Sequence, residues 1–394
     1  MFEKNLIQRA NQVLIRENVR VLDNTLRDGE QTPGVVFSRR DKLDIIRSLW
    51  LCGVKDAEIG FPANSESERE SIRAILNEDL PMRLTGLCRL NKMDIDYASE
   101  CGLKYITLFL TGSKIYIEKN LKISLSNISD AIKKIVAYAI HKKINVKFSC
   151  ENASRMQLED LIKYYDAALQ NGASIISFPD TAGVMTPTAM YKCISILRQE
   201  LKCEISAHCH DDLGLATANT LAAAEAGAIE LQTCVNSLGE RAGNASFQEV
   251  VLALITQYDC DLKINLSNLK SLSDLVYERS GLKSSFNSPI FGKNVFRHES
   301  AIHATSVLRG ENLYEPFPPA IIGRAHEIVL GKHSGIASIE YYLEHILKIK
   351  LNRDQIKQLL NEVKETSEKK SPVNLYFLCQ KLGFSPQNDV AMKV

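Results

Sequence analysis

Residues 204–211 read Glu204-Ile205-Ser206-Ala207-His208-Cys209-His210-Asp211, a short strand-like run that ends in histidines and passes into a helix-like stretch. Seven further runs of this kind precede or follow it: Val19–Arg27, Asp56–Phe61, Arg83–Cys88, Tyr105–Leu110, Val146–Glu151, Ile175–Asp180 and Glu230–Gly239. Each is followed by helical apolar spacing. In Ser38–Gly53, for example, Leu43, Ile46 and Trp50 fall on one helical face, with Ser38 as N-cap and Gly53 as stop. Eight strand–helix units in about 260 residues predict a (β/α)8 TIM barrel over Val19–Lys283, with an open doubly wound sheet as the alternative.

The rest of the chain has another texture. Residues 1–18 are expected to form an N-terminal extension. A Ser-, Asn- and Pro-rich stretch, 284–335, reads as a linker subdomain carrying histidines, and 336–394 as a small helical C-terminal subdomain.

At 394 residues with 48 basic and 47 acidic side chains, the chain has no charge excess that would draw it to nucleic acid or anionic lipid. Ten scattered cysteines without a Cys-x-x-Cys pair resemble buried thiols of a reducing compartment. Glu3, Lys4, Arg9, Arg16 and Glu17 interrupt any signal-peptide core, and no apolar run reaches the roughly 18 residues of a membrane helix. A cytoplasmic protein without membrane or nucleic-acid partners is expected.

In a barrel of parallel strands the strand ends meet at one rim, so Asp28 after the first run can meet His208 and His210 there. Histidines two apart on a strand share a face. Asn244, in Gly239-Glu240-Arg241-Ala242-Gly243-Asn244, follows the eighth strand at the same rim. An Asp/His/His/Asn set without thiolate suits Zn, Mn, Mg, Co or Fe as a Lewis acid. The bland alternatives are a hydrogen-bonded His pair, Asp28 as a helix cap and Asn244 as N-cap of a helix starting at Ala245. Arg27 suits a developing oxyanion, or else an ion pair with Glu30 or Glu58. Lys147, Ser149 and Glu151 share one strand face, which would bring Lys147 to the mouth with Glu151 if that face opens there. A Lys147–Glu151 pair or an outward lysine is the alternative. Thr181 can bond a carboxylate or merely form a turn. His298, His303 and His333 lie in loop-like sequence. No Gly-x-Gly-x-x-Gly or Walker-type loop appears, which disfavours dinucleotide and nucleotide chemistry.

Leu26–Gln31 with Thr32-Pro33-Gly34-Val35, His208–Asn219, Gly239–Asn244 and Leu330–Gly335 together resemble the 2-isopropylmalate, homocitrate and citramalate synthase family, over about Val19 to Gly335. The resemblance implies a Claisen condensation of acetyl-CoA with a 2-oxo acid on a divalent metal. By motif it implies Asp28, His208, His210 and Asn244 as metal ligands, Arg27 as oxyanion stabiliser, Thr181 as carboxylate binder and Glu151 as the acidic residue. It implies that His303, the proton acceptor, and Tyr314 come from the partner of a homodimer. Lys147 resembles the arginine with which homocitrate synthases of the lysine pathway read their substrate. Gly86-Leu87-Cys88-Arg89 and the Ala216–Ala222 run resemble nitrogenase-associated homocitrate synthases. Homocitrate synthesis from 2-oxoglutarate is therefore expected first, with 2-oxoisovalerate or pyruvate as alternative acceptors. The chain stops without a long regulatory domain, so leucine inhibition is not expected. Asp211 stands where the family usually has Asn. A related acyl-CoA carbon–carbon lyase and a non-catalytic binding protein are the competing classes.

Overall fold

The computed structural model describes residues 15, 18–111, 127–311 and 313–383, so most of the expected N-terminal extension and the end of the helical tail lie outside the described residues. It divides into two units, 1–283 and 284–394.

In the first unit eight parallel strands close a barrel: β1 (Arg20–Asp23), β2 (Asp56–Glu58), β3 (Arg83–Arg89), β4 (Tyr105–Leu110), β5 (Asn145–Cys150), β6 (Ala173–Asp180), β7 (Glu204–Cys209) and β8 (Glu230–Thr233). β1 pairs with both β2 and β8, with Leu22 opposite Asp56 and Gln232, and this closure rules out the open sheet. Helices follow the strands: α1 (Arg39–Leu51), α2 (Glu66–Leu76), α3 (Lys92–Cys101), α4 (Ile128–His141), α5 (Leu158–Leu169), α6 (Pro187–Leu201), α7 (Ala216–Glu225) and α8 (Phe247–Gln257), with α9 (Leu269–Ser280) behind them.

Ser38 does cap α1, in a capping box with Asp41, a motif worth about 1 kcal/mol. The buried face of α1 is nevertheless Lys42, Ile45, Ile46 and Leu49, and Trp50 is 37% exposed. The expected Leu43–Ile46–Trp50 face is rotated because Lys42 is drawn inward by Glu30 and Glu68, a buried ion pair that apolar periodicity cannot register.

The barrel lumen is polar in layers. At the amino ends of the strands Arg20, Asp56, Arg83, Lys147 and Glu230 form one ion-paired cluster. Above it Gln232 donates to Ser177 and Ser206 (2.9 and 3.0 Å) and accepts from Asn24 (2.7 Å).

The second unit holds a two-stranded parallel pairing of β9 (Arg297–His298) with β10 (Glu327–Ile328), and helices α10 (Ala301–Leu308), α11 (Ile336–Tyr341), α12 (Arg353–Glu368) and α13 (Leu375–Lys381). Ala304, Ile328 and Leu330 share one apolar core with Ile339, Leu359, Val363 and Leu378. The segments expected to separate at 335/336 thus share one apolar core within one unit. Among the described residues no helix is long and apolar enough to cross a membrane.

Candidate metal and substrate site

β1 ends at Asp23, four residues earlier than expected. Asp23 then accepts from the backbone and hydroxyl of Thr25 (3.0 and 2.9 Å), while Arg27 and Gly29 donate backbone N–H bonds to the Asn24 carbonyl. This turn delivers Asp28, buried, to the carboxyl rim. β7 delivers His208 in register, and His210 lies just past its end in an isolated bridge with Asn244. Ligand atoms of Asp28, His208 and His210 lie within 4.8 Å of one another.

The donor set fits one divalent ion. The two Nε2 atoms face each other at 3.1 Å. Two ligands held about 2.1 Å from one ion at a right angle lie about 3.0 Å apart. Asn244 Nδ2 donates to Asp28 Oδ1 (2.7 Å) and the Leu238 carbonyl (2.9 Å), whereas its buried Oδ1 has no protein partner. Gly239, at φ +147°, leaves the room: a Cβ there would meet Asn244 Nδ2 at 2.1 Å and Asp28 Oδ1 at 2.9 Å. The helix of residue 247 onward is capped by Ser246, so Asn244 is not its cap, and Asp28 makes no side-chain cap bond.

Electrostatics place the groups in ligating form. Burial, with the neighbouring His210, pushes His208 down to about 3, and burial likewise lowers His210, so both imidazoles are neutral near pH 7. Burial works against ionisation of Asp28, but the Arg27 guanidinium, helped by the Asn244 amide, holds its carboxyl well below the usual range. Arg27 pairs with Asp28 and Glu58, not Glu30, and Glu58 also accepts from Thr107.

The group opens into a cleft of about 340 Å³ whose wall includes Phe61, Leu87, Phe109, Ser149, Glu151 and Thr181. The Thr181 Oγ1 accepts the Asn152 backbone N–H (2.9 Å), so its own hydrogen remains to donate. Asp211 accepts the Ala216 N–H (2.8 Å) at the start of α7. Its carboxylate is engaged with a helix start, and the altered residue of this motif is accounted for locally.

Lys147 does not reach the mouth. Its Nζ is 2.8 Å from Glu230 Oε1, both side chains being buried in the cluster at the amino ends of the strands. The expectation that Lys147 follows Glu151 to the rim, or pairs with it, is corrected: four residues along a strand span roughly 13 Å, so a shared face still means different layers. Glu230, despite burial, is held at about 2 by Lys147, Arg83 and Arg20.

In the second unit His303 sits on helix α10 rather than in a loop, and its ring stacks on Tyr314 (centroids 3.8 Å apart, 15° between planes). Glu315 links His298 (2.9 Å) and His326 (2.7 Å). Glu58 was named from sequence as one of two alternative partners of Arg27 and is that partner, whereas Thr107, His326 and Glu315 were not singled out.

Residues 18–276 match the family described as HMGL-like, and 290–371 match the one described as homocitrate synthase post-HMGL domain-like. A 2-isopropylmalate synthase of Methanocaldococcus jannaschii is 41% identical, covering 93% of this chain and 72% of that protein. The homocitrate synthase AksA of the same organism is also 41% identical, covering 91% and 88%. The HMG-CoA lyase structure of Bacillus subtilis superposes with a TM-score of 0.63 at 21% identity, covering 70% of this chain and 97% of that one, a likeness of fold.

Proposed function

The chain belongs to the HMGL-like family, with a homocitrate synthase post-HMGL domain-like region following in sequence, and from that premise we propose that it condenses acetyl-CoA with a 2-oxo acid. The observation that carries this is the buried Asp28–His208–His210 group opening into a cleft beside Arg27, Glu151 and Thr181.

Asp28, His208, His210 and Asn244 would hold a divalent cation, which would supply Lewis-acid polarisation of a carbonyl bound beside it. Thr181 donates to the acceptor carboxylate. His303, stacked on Tyr314 and contributed by the partner of a homodimer, takes a proton from the acetyl methyl. The methyl carbon then bonds to the carbonyl carbon as the carbonyl π pair moves to oxygen, where Arg27 stabilises the negative charge and a proton restores the hydroxyl. Water next adds to the thioester, the C–S bond breaks, and CoA leaves with a proton. Glu151, at the same mouth, serves the acid–base steps. Removing a thioester methyl proton near neutral pH needs both a placed base and a stabilised enolate.

As acceptor we propose 2-oxoglutarate, giving homocitrate. The match of residues 290–371 supports it, as do the hydroxyls of Ser149 and Ser177 along the cleft. A second acceptor, 2-oxoisovalerate or pyruvate, is favoured by Phe61, Leu87 and Phe109, and by the ion pairing of both cations on the wall, Arg27 to Asp28 and Glu58 and Arg241 to Asp212. Product identification by mass spectrometry after incubation with acetyl-CoA and equimolar 2-oxoglutarate, 2-oxoisovalerate and pyruvate tests the choice. Homocitrate as main product supports the first acceptor; an isopropylmalate or citramalate excess overturns it.

A further inference from the structure

Arg241 carries no role in the reaction just described, yet it sits where three rim loops meet. It lies after β8 with a positive φ of 56° in Gly239–Asn244. Its Nε and Nη2 engage both carboxylate oxygens of Asp212 (2.8 and 3.0 Å), which follows β7. The same Nη2 donates to the backbone carbonyl of Thr181, which follows β6. Such a two-point guanidinium–carboxylate pair fixes orientation as well as distance.

Thr181 is therefore held from two sides, by Arg241 at its carbonyl and by the Asn152 N–H, after β5, at its hydroxyl oxygen. The turn behind it has no slack. Gly183 adopts φ +59°, and a Cβ there would lie 2.6 Å from Asp212 Oδ2 and 3.0 Å from the Asp212 backbone nitrogen. Arg241 and Thr181 also both line the 340 Å³ cleft and a neighbouring one of about 590 Å³ that contains Glu151 and Asp212.

We propose that the Arg241–Asp212 pair is a latch that aims the Thr181 hydroxyl at the acceptor's carboxylate, making Arg241 a positioning residue for oxo-acid binding. This rests on the assignment of Thr181 as carboxylate binder. It follows that Arg241 acts through Thr181, so its loss is felt only while the Thr181 hydroxyl is present.

A double-mutant cycle tests this, with Arg241→Lys and Asp212→Asn as conservative variants and Thr181→Val as the second perturbation. Steady-state CoA release is measured with each, alongside metal content and thermal unfolding as checks on the fold. Arg241→Lys and Asp212→Asn are expected to raise the KM for the oxo acid about tenfold, with kcat changed less and metal stoichiometry retained. Adding either to Thr181→Val is expected to change KM less than about twofold further. Full additivity in the double variants overturns the latch while leaving Thr181 as binder. A Thr181→Val protein with unaltered KM overturns the binder assignment itself. Loss of metal or of thermal stability in both conservative variants also overturns the proposal, since the pair would then be serving the fold.

Discussion

Replacing Lys147 by Met separates the two roles open to this residue. In the structure Lys147 Nζ bonds Glu230 Oε1 at 2.8 Å, and Glu230 Oε2 takes Arg20 at 3.2 Å as well as Arg83. Met retains the methylene packing but leaves Oε1 without its cation. Removing one partner of an isolated buried ion pair costs about 3–5 kcal/mol, and an orphaned buried acceptor about 1–3 kcal/mol. Because Arg20 and Arg83 remain on the other oxygen, a loss of about 2–3 kcal/mol is expected. Urea unfolding should show it as a lower midpoint at unchanged slope. Acid sensitivity supplies a second readout. Glu230 is held at about 2, below the usual carboxylate value of about 4.3, so its stabilisation is complete above that value and is lost as pH falls through about 2. In the Met variant the acid limb should begin at higher pH. The ratio of kcat/KM for 2-oxoglutarate over 2-oxoisovalerate should stay within about twofold of the parent, because the lysine lies a layer below the cleft. A protein of full stability that has lost 2-oxoglutarate selectively would refute this and return Lys147 to the substrate.

Gly239→Ala should lose metal along with His210→Ala, since the new Cβ falls on Asn244 and Asp28; full metal stoichiometry by elemental analysis would remove the cradle argument. Asp211→Asn keeps an acceptor for the Ala216 N–H and should be near neutral, whereas Asp211→Ala should cost about 1 kcal/mol of unfolding free energy with metal affinity unchanged. Mixing inactive His303→Ala and Asp28→Ala subunits by co-refolding should restore activity to about a quarter of the parent if each site draws on two chains. No recovery from verified hybrids would place His303 in its own chain's site.

The barrel was legible because eight short strand runs were each followed by helical spacing, and Asp28, His208, His210 and Asn244 do gather at its carboxyl rim. Strand register was less legible. β1 stops at Asp23 because Asp23 and Asn24 divert hydrogen bonds into a turn, and polar strand residues such as Lys147 and Gln232 fill lumen layers that a period-two pattern cannot rank by depth. The Lys42 pair with Glu30 and Glu68 misled the face of α1 for a related reason: a buried charge is invisible until its partners are brought together by the fold. Arg241 lay within a quoted motif, but its link to Thr181 and Asp212 crosses three loops.

The most direct test is CoA release from acetyl-CoA by the purified protein, stripped of metal with a chelator and then assayed with and without added divalent metal, in the presence and absence of a 2-oxo acid. Release that requires both the metal and the 2-oxo acid is the predicted result. No metal-dependent release with 2-oxoglutarate, 2-oxoisovalerate, pyruvate or oxaloacetate, or cleavage of 3-hydroxy-3-methylglutaryl-CoA in its place, would contradict it.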